Sequence, residues 1–212
     1  VGIIIADVDI TDSENTKSSI QQLTISVFDL FGTFLLLYLF MKFVDKEQFI
    51  KLGFQTKNRL KEFVSGIILG LVVMMLGYLL LIYFEEVWFL KVNFNFNELM
   101  ISILLFTIVA IVEEVLFRGY ILKNLMSSFN KYIALFFSSV LFSLIHSFNP
   151  NIDMFSLLVL FLAGIVLGLS YINTKNLWFP IALHLSWNLF QTLLGFNISG
   201  QDTYSIIEFQ IN

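Results

Sequence analysis

The sequence predicts an all-α, polytopic transmembrane bundle of about six membrane-spanning helices. Three observations predict it. Of 212 residues, 58% are hydrophobic and only 13% charged, with a mean hydropathy of +0.85; a soluble domain carries about 25% charge and 45–50% apolar residues. Six stretches approach the roughly 20 apolar residues, at 1.5 Å each, that cross a bilayer. Lys and Arg are strongly biased to alternate connections between those stretches. The same composition excludes other classes. A net charge of −4 and a pI near 5.1 leave no basic surface for nucleic acid. The absence of cysteine removes a disulfide framework, a zinc finger and a thiol nucleophile.

The chain opens with a polar, acidic segment, 1–22. There Asp7, Asp9, Asp12 and Glu14 stand against Lys17, the wrong sign for the basic region of a signal peptide. The start at Val1 is expected to reflect an incomplete or recoded N-terminus, with room for one missing span. The transmembrane domain covers 23–196. Its first span, 23–44, contains Asp29, expected to face other helices or the outer surface rather than to catalyse. Span two, 63–84, places Gly66 and Gly70 one turn apart, a spacing that lets helices approach closely. It ends at Glu85 and Glu86, which have no histidine to match and read as solvated caps. Trp88 follows as an interfacial anchor, and the alternating Asn93–Asn97 run fits a loop or a short strand. Span three, 99–122, carries two adjacent acids. Span four, 132–148, has Ser139, Ser143 and Ser147 at helical spacing, and span five, 153–172, has Gly164 and Gly168. Span six, 178–196, begins at the second anchor, Trp178, and contains His184, Trp187 and Asn188, with Trp187 expected to line any site there. A polar tail, 197–212, closes the chain.

Orientation follows from the cations. Lys42, Lys46, Lys51, Lys57, Arg59 and Lys61 cluster around loop 45–62, and alternation puts Arg118, Lys123, Lys131 and Lys175 on the same face. Lys17 and Lys91 fall opposite. The positive-inside bias therefore makes loop 45–62 cytoplasmic and both termini external.

Mid-helix carboxylates cost about 2.5–3.5 kcal/mol each on insertion scales, so they are functional candidates. Glu114 and Arg118 have the i,i+4 spacing, acid first, that favours an ion pair along one helix. Glu113 points about 100° away from Glu114 and needs a polar partner elsewhere. The two histidines of the chain both sit in apolar stretches. His146 follows Phe142 by one turn, and His184 precedes Asn188 by one turn. Two chemistries suit this set. Glu113 and His146 could polarise a water as general base, with His184 and Asn188 donating to a developing oxyanion. Alternatively Glu113, His146 and His184 could ligate Zn2+ or another divalent ion, with an open position for water. Either gives peptide-bond hydrolysis.

At these residues the sequence resembles the CPBP family, the CAAX prenyl endopeptidases of the Ras-converting type and the bacteriocin-processing proteins of the Abi group. The resemblance rests on Glu113-Glu114-xxx-Arg118, Phe142-xxx-His146 and His184-xxx-Asn188, in that order on three separate helices, and spans about 66–194. It implies an intramembrane endopeptidase acting on a peptide or a membrane-anchored protein. Glu113 and His146 match the water-activating pair, His184 and Asn188 match the oxyanion pair, and Glu114 and Arg118 complete the first motif. The family carries a metalloprotease label, but the metal-free glutamate mechanism is the better account. Two departures stand out: six spans rather than seven or eight, and Val115 where a proline is usual. For a bacterial chain the resemblance implies the inner membrane and peptide leaders or anchored proteins as substrates.

Other intramembrane protease signatures are absent from the sequence, among them His-Glu-xx-His of site-2 zinc enzymes. A non-catalytic scaffold or immunity protein of the same fold would keep the motifs for packing, and a proton-coupled carrier would use them as an ion path. A protease site should open sideways or towards the cytoplasm. A linear map, however, puts His184 roughly 9 Å and Glu113 roughly 14 Å from the cytoplasmic helix ends and His146 roughly 20 Å, a gap that tilt or an interfacial turn at 127–131 must close.

Overall fold

A computed structural model describes residues 2–6 and 17–212. The acidic residues Asp7, Asp9, Asp12 and Glu14 lie outside the described residues. A one-turn helix, α1 (Gly2–Ile5), precedes the bundle. Helix α2 (Ser19–Phe40) runs on through a π-helical turn at Met41–Asp45, and a 3-10 turn at Phe49–Leu52 leads to α3 (Leu60–Tyr83). Strand β1 (Val87–Val92) connects to α4 (Phe96–Glu114), which continues through a π-helical stretch, Val115–Leu122, into α5 (Lys123–Ser128). Then follow α6 (Lys131–Ile145) with a 3-10 turn at His146–Phe148, α7 (Met154–Thr174), α8 (Trp178–Leu193) and β2 (Ile207–Ile211).

The helical membrane bundle expected from composition is present. Five helices among the described residues are long and apolar enough to cross a membrane: Ser19–Asp45, Leu60–Tyr83, Phe96–Ser128, Lys131–Phe148 and Met154–Thr174. The sixth expected span, α8, is a different kind of element. It has 16 residues, roughly 24 Å of helix, and buries Pro180, Ile181, Ala182, Leu183, His184, Ser186, Asn188 and Thr192. Its hydrophobicity serves contact with other helices rather than with lipid.

Local chemistry fixes the helix starts. Ser18 and Gln21 form a reciprocal capping box at α2. Asn95 accepts from the Asn97 and Glu98 amides, so the Asn-rich run is the N-cap of α4. Asp153 accepts from the Ser156 amide at 2.7 Å to start α7. The small-residue spacings do bring helices together. A Cβ added at Gly66 would lie 2.8 Å from Ala182 Cβ, and one at Gly70 would lie 2.7 Å from Ser186 Cβ. The Ser186 hydroxyl donates to Ile67 O across that seam at 2.7 Å. Gly164 faces Ser139 in the same manner between α6 and α7.

The two ends of the bundle differ. At the end bearing loop 45–62, the chain folds inward and plugs the interior: Leu52, Leu122, Leu177 and Val115 are completely buried beside Leu37 and Met41. Backbone bonds tie this plug to the start of α8, with Leu177 N–H donating to Gly53 O at 2.9 Å and the Asn176 amide donating to Gln55 O at 2.8 Å. Trp178 also donates to Gln55 O, so this anchor pins the loop. At the opposite end the tail is more than polar coil. β2 pairs antiparallel with β1, from Val87↔Ile211 to Val92↔Ile207, with a bulge between Phe89 and Lys91. Trp88, Phe89 and Leu90 of this ribbon project outward, as an aromatic belt at an interface does. Glu85 and Glu86 close α3 in a turn whose carbonyls receive Asn212, in keeping with their reading as caps.

Candidate active site

The adjacent acids on α4 divide as helix geometry predicts. Glu114 is fully buried and accepts from Arg118 Nη1 at 2.7 Å. Arg118 is buried as well, and its Nη2 donates to Gly164 O at 3.4 Å. The structure adds a partner that intrahelical spacing cannot reveal: the same Glu114 oxygen lies 2.8 Å from His184 Nδ1 on α8. Glu114 thus fixes the ring of a histidine seventy residues away, and Arg118 balances its charge. The π-helical stretch that starts at Val115 carries Arg118, a wider turn of the kind found at functional sites.

Glu113 turns the other way and meets both histidines. Its Oε1 lies 3.8 Å from His146 Nε2 and its Oε2 lies 3.8 Å from His184 Nε2. These separations exceed a direct hydrogen bond; a water bonded to both partners would bridge them. Glu113 Oε2 is buried with no hydrogen-bond partner among the described residues. His146 is oriented from behind as well: Nδ1 sits 2.7 Å from Phe142 O, so an Nδ1–H donates there and leaves Nε2 towards Glu113.

Phe142 explains its own place in the second motif. Its carbonyl holds His146, and its ring supports the other members. The Arg118 guanidinium stands 4.3 Å from the ring centroid, a cation–π contact. Rings of Phe117, His146 and His184 lie 5.1, 4.9 and 6.2 Å away.

Glu113, His146, His184 and Asn188 all line one cavity of about 1210 Å³. Trp187 lines it too and donates to Gln191 at 3.0 Å. Asp29 is also in the wall, on α2. In the sequence it reads as incidental, yet it shares the chamber with Glu113, and its position as a lone acid in an apolar helix is the signal that points there. The depth mismatch of the linear map has two causes. The helical run that begins with α4 does not end near Leu122 but continues through α5 to Ser128, which sets Glu113 roughly 22 Å from that end. The start of α8 lies beneath the plug, with Leu177 wholly buried, so its first turn is not at the surface.

The three side chains expected as metal ligands address one another through different oxygens of Glu113. Two ligands of a tetrahedral zinc ion stand about 3.4 Å apart given bond lengths near 2.0–2.1 Å, closer than the 3.8 Å separations here. Among the described residues no group of three or more His, Asp or Glu is arranged to hold one ion.

Comparison with known families finds a match that covers these residues. Residues 95–190 match the family described as Rce1-like, the type II CAAX prenyl endopeptidase Rce1-like group. The matched stretch holds all three motifs and is narrower than the 66–194 expected from them. No curated protein and no solved structure matches the chain closely enough to count as a relative.

Proposed function

We propose, from the match of residues 95–190 to the Rce1-like family, that this chain is an intramembrane endopeptidase of the CPBP type in which Glu113 and His146 activate a water while His184 and Asn188 receive the oxyanion. One observation supports this most directly. Both imidazole Nε2 atoms face the two oxygens of Glu113 at 3.8 Å, inside a chamber that Asn188 also lines.

A water bonded between Glu113 and His146 loses a proton to the Glu113 carboxylate as its oxygen bonds to the peptide carbonyl carbon. The carbonyl electron pair moves onto oxygen, where His184 Nε2–H and the Asn188 amide donate to it. When the tetrahedral species collapses, the C–N bond breaks and Glu113 returns the proton to the departing nitrogen, giving a carboxylic acid and an amine. Because His184 Nδ1 already faces Glu114, donation from Nε2 requires the ring to carry both protons. With that imidazolium, Arg118, Glu113 and Glu114 form a set of zero net charge, which suits an interior where unbalanced charge is costly. General-base assistance is worth about 10²–10⁴-fold, and one oxyanion donor about 10²–10³-fold.

The test is hydrolysis of a mixed peptide library by the purified protein in proteoliposomes, read by mass spectrometry. Glu113→Gln should lower cleavage at least about a hundredfold with an unchanged melting temperature, and a divalent-metal chelator should leave wild-type cleavage intact. Full cleavage by Glu113→Gln would overturn the glutamate role; loss of cleavage to the chelator, restored by Zn2+, would replace the metal-free route with a metal-bound one.

A further inference from the structure

The chamber is closed at one end of the bundle and open at the other, and the closed end is the basic one. Towards loop 45–62, Leu52, Leu122 and Leu177 are completely buried and none of them lines the chamber that holds Glu113. The chamber instead extends to the opposite end, where its rim is polar: Lys17, Gln22, Asn149, Asn151, Asn197 and Gln201 line it. The rim is a built structure. Asn149 and Asn151 donate to Ser199 O and Gly200 O, each at 3.1 Å, and Gln22 donates to Asp202 O at 3.0 Å. From the rim down to Glu113 the chamber is walled on one side by α2 and on another by α7, whose Phe155, Val159, Leu162 and Val166 line it and are exposed.

Charge fixes which end is which. The plugged end carries Lys42, Lys46, Lys51, Lys57, Arg59, Lys61, Lys123, Lys131 and Lys175, and the positive-inside bias places such an end in the cytoplasm. The open end carries the acidic turn Glu85–Glu86 and the aromatic ribbon of β1 and β2.

We infer that the site takes its substrate from the external side of the membrane: a polypeptide segment already exported or held at the outer leaflet, entering by the polar rim and along the apolar face of α7. The expectation from the sequence is an opening sideways or towards the cytoplasm, and an external entrance departs from its cytoplasmic alternative. It rests on the hydrolytic reading of the chamber, but its test needs no turnover, so the two stand or fall separately.

The chain contains no cysteine, so single cysteines report position without background. Asp202→Cys marks the exposed rim, Ser26→Cys the chamber wall on α2, and Lys57→Cys the basic loop. In intact bacterial cells a membrane-impermeant maleimide should label Asp202→Cys and Ser26→Cys but not Lys57→Cys, which should react only after lysis. Labelling of Lys57→Cys in intact cells, or of Asp202→Cys only after lysis, would overturn the assignment. So would a Ser26→Cys that stays unreactive in open membranes while Asp202→Cys reacts, since the chamber would then be sealed from the rim. A tryptophan-fluorescence melt of each purified variant identifies any that are misfolded, and Gln201→Cys replaces Asp202→Cys, or Gly32→Cys replaces Ser26→Cys, where needed.

Discussion

Replacing Arg118 with methionine isolates the electrostatic part of the buried cluster. Methionine keeps much of the side-chain length but removes the 2.7 Å bond to Glu114, the bond to Gly164 O and the guanidinium over Phe142. Glu114 stays behind, fully buried, with one of its oxygens already lacking a partner. Breaking one side of a buried ion pair costs about 3–5 kcal/mol, two to three and a half powers of ten in the folding equilibrium at about 1.4 kcal/mol per tenfold. Most of that is the isolated carboxylate, so Arg118→Met combined with Glu114→Gln should recover at least about 2 kcal/mol. The residual loss reflects the charge-assisted bond to His184, worth about 1.5–3 kcal/mol. Denaturant titration in detergent micelles, followed through Trp88, Trp178 and Trp187, measures the cycle. If the double variant is as unstable as Arg118→Met alone, the arginine contributes packing rather than charge, and the neutral-cluster argument fails.

Other outcomes follow from the same geometry. Gly70→Val should destabilise by about 1–3 kcal/mol, because its Cβ would meet Ser186 Cβ at 2.7 Å and Trp187 N at 2.9 Å; hydrolysis should fall further than stability, since the displaced helix carries His184 and Asn188. Gly77→Ala, with nothing within 4 Å, should instead stabilise by about 0.5–1 kcal/mol in the same melting assay. Glu47, held by Lys123 outside the spans, has its carboxyl below the ordinary 4.5. A depressed folded-state value contributes stability above that pH and loses it as pH falls through the folded value. The difference between wild type and Glu47→Gln should therefore be present near neutrality, vanish in acid, and stay below about 1 kcal/mol, because the pair is about one-third exposed.

Five spans and all three motifs are legible in the sequence because both signals are local: apolar length, and polar residues one turn apart. What escapes is non-local. Hydropathy does not distinguish a helix that faces lipid from one enclosed by protein, so the enclosed α8 reads like the five longer spans. Spacing pairs Glu114 with Arg118 but is blind to His184 on another helix. The ribbon joins 87–92 to 207–211 across the whole domain, and no short-range pattern in a polar tail announces that partner. Asp29 reads as incidental in one dimension because only the packed helices show that it shares a chamber with Glu113.

The seam between α3 and α8 has a consequence for how little of the chain could carry the candidate site. His184 and Asn188 ride on a helix whose backbone rests against Gly66 and Gly70, and those glycines lie upstream of the stretch that matches the family. A fragment trimmed to 95–190 would keep every signature residue yet lose the cradle that aims two of them. Grafting this chemistry onto another scaffold therefore means transplanting a bare glycine groove along with the motifs.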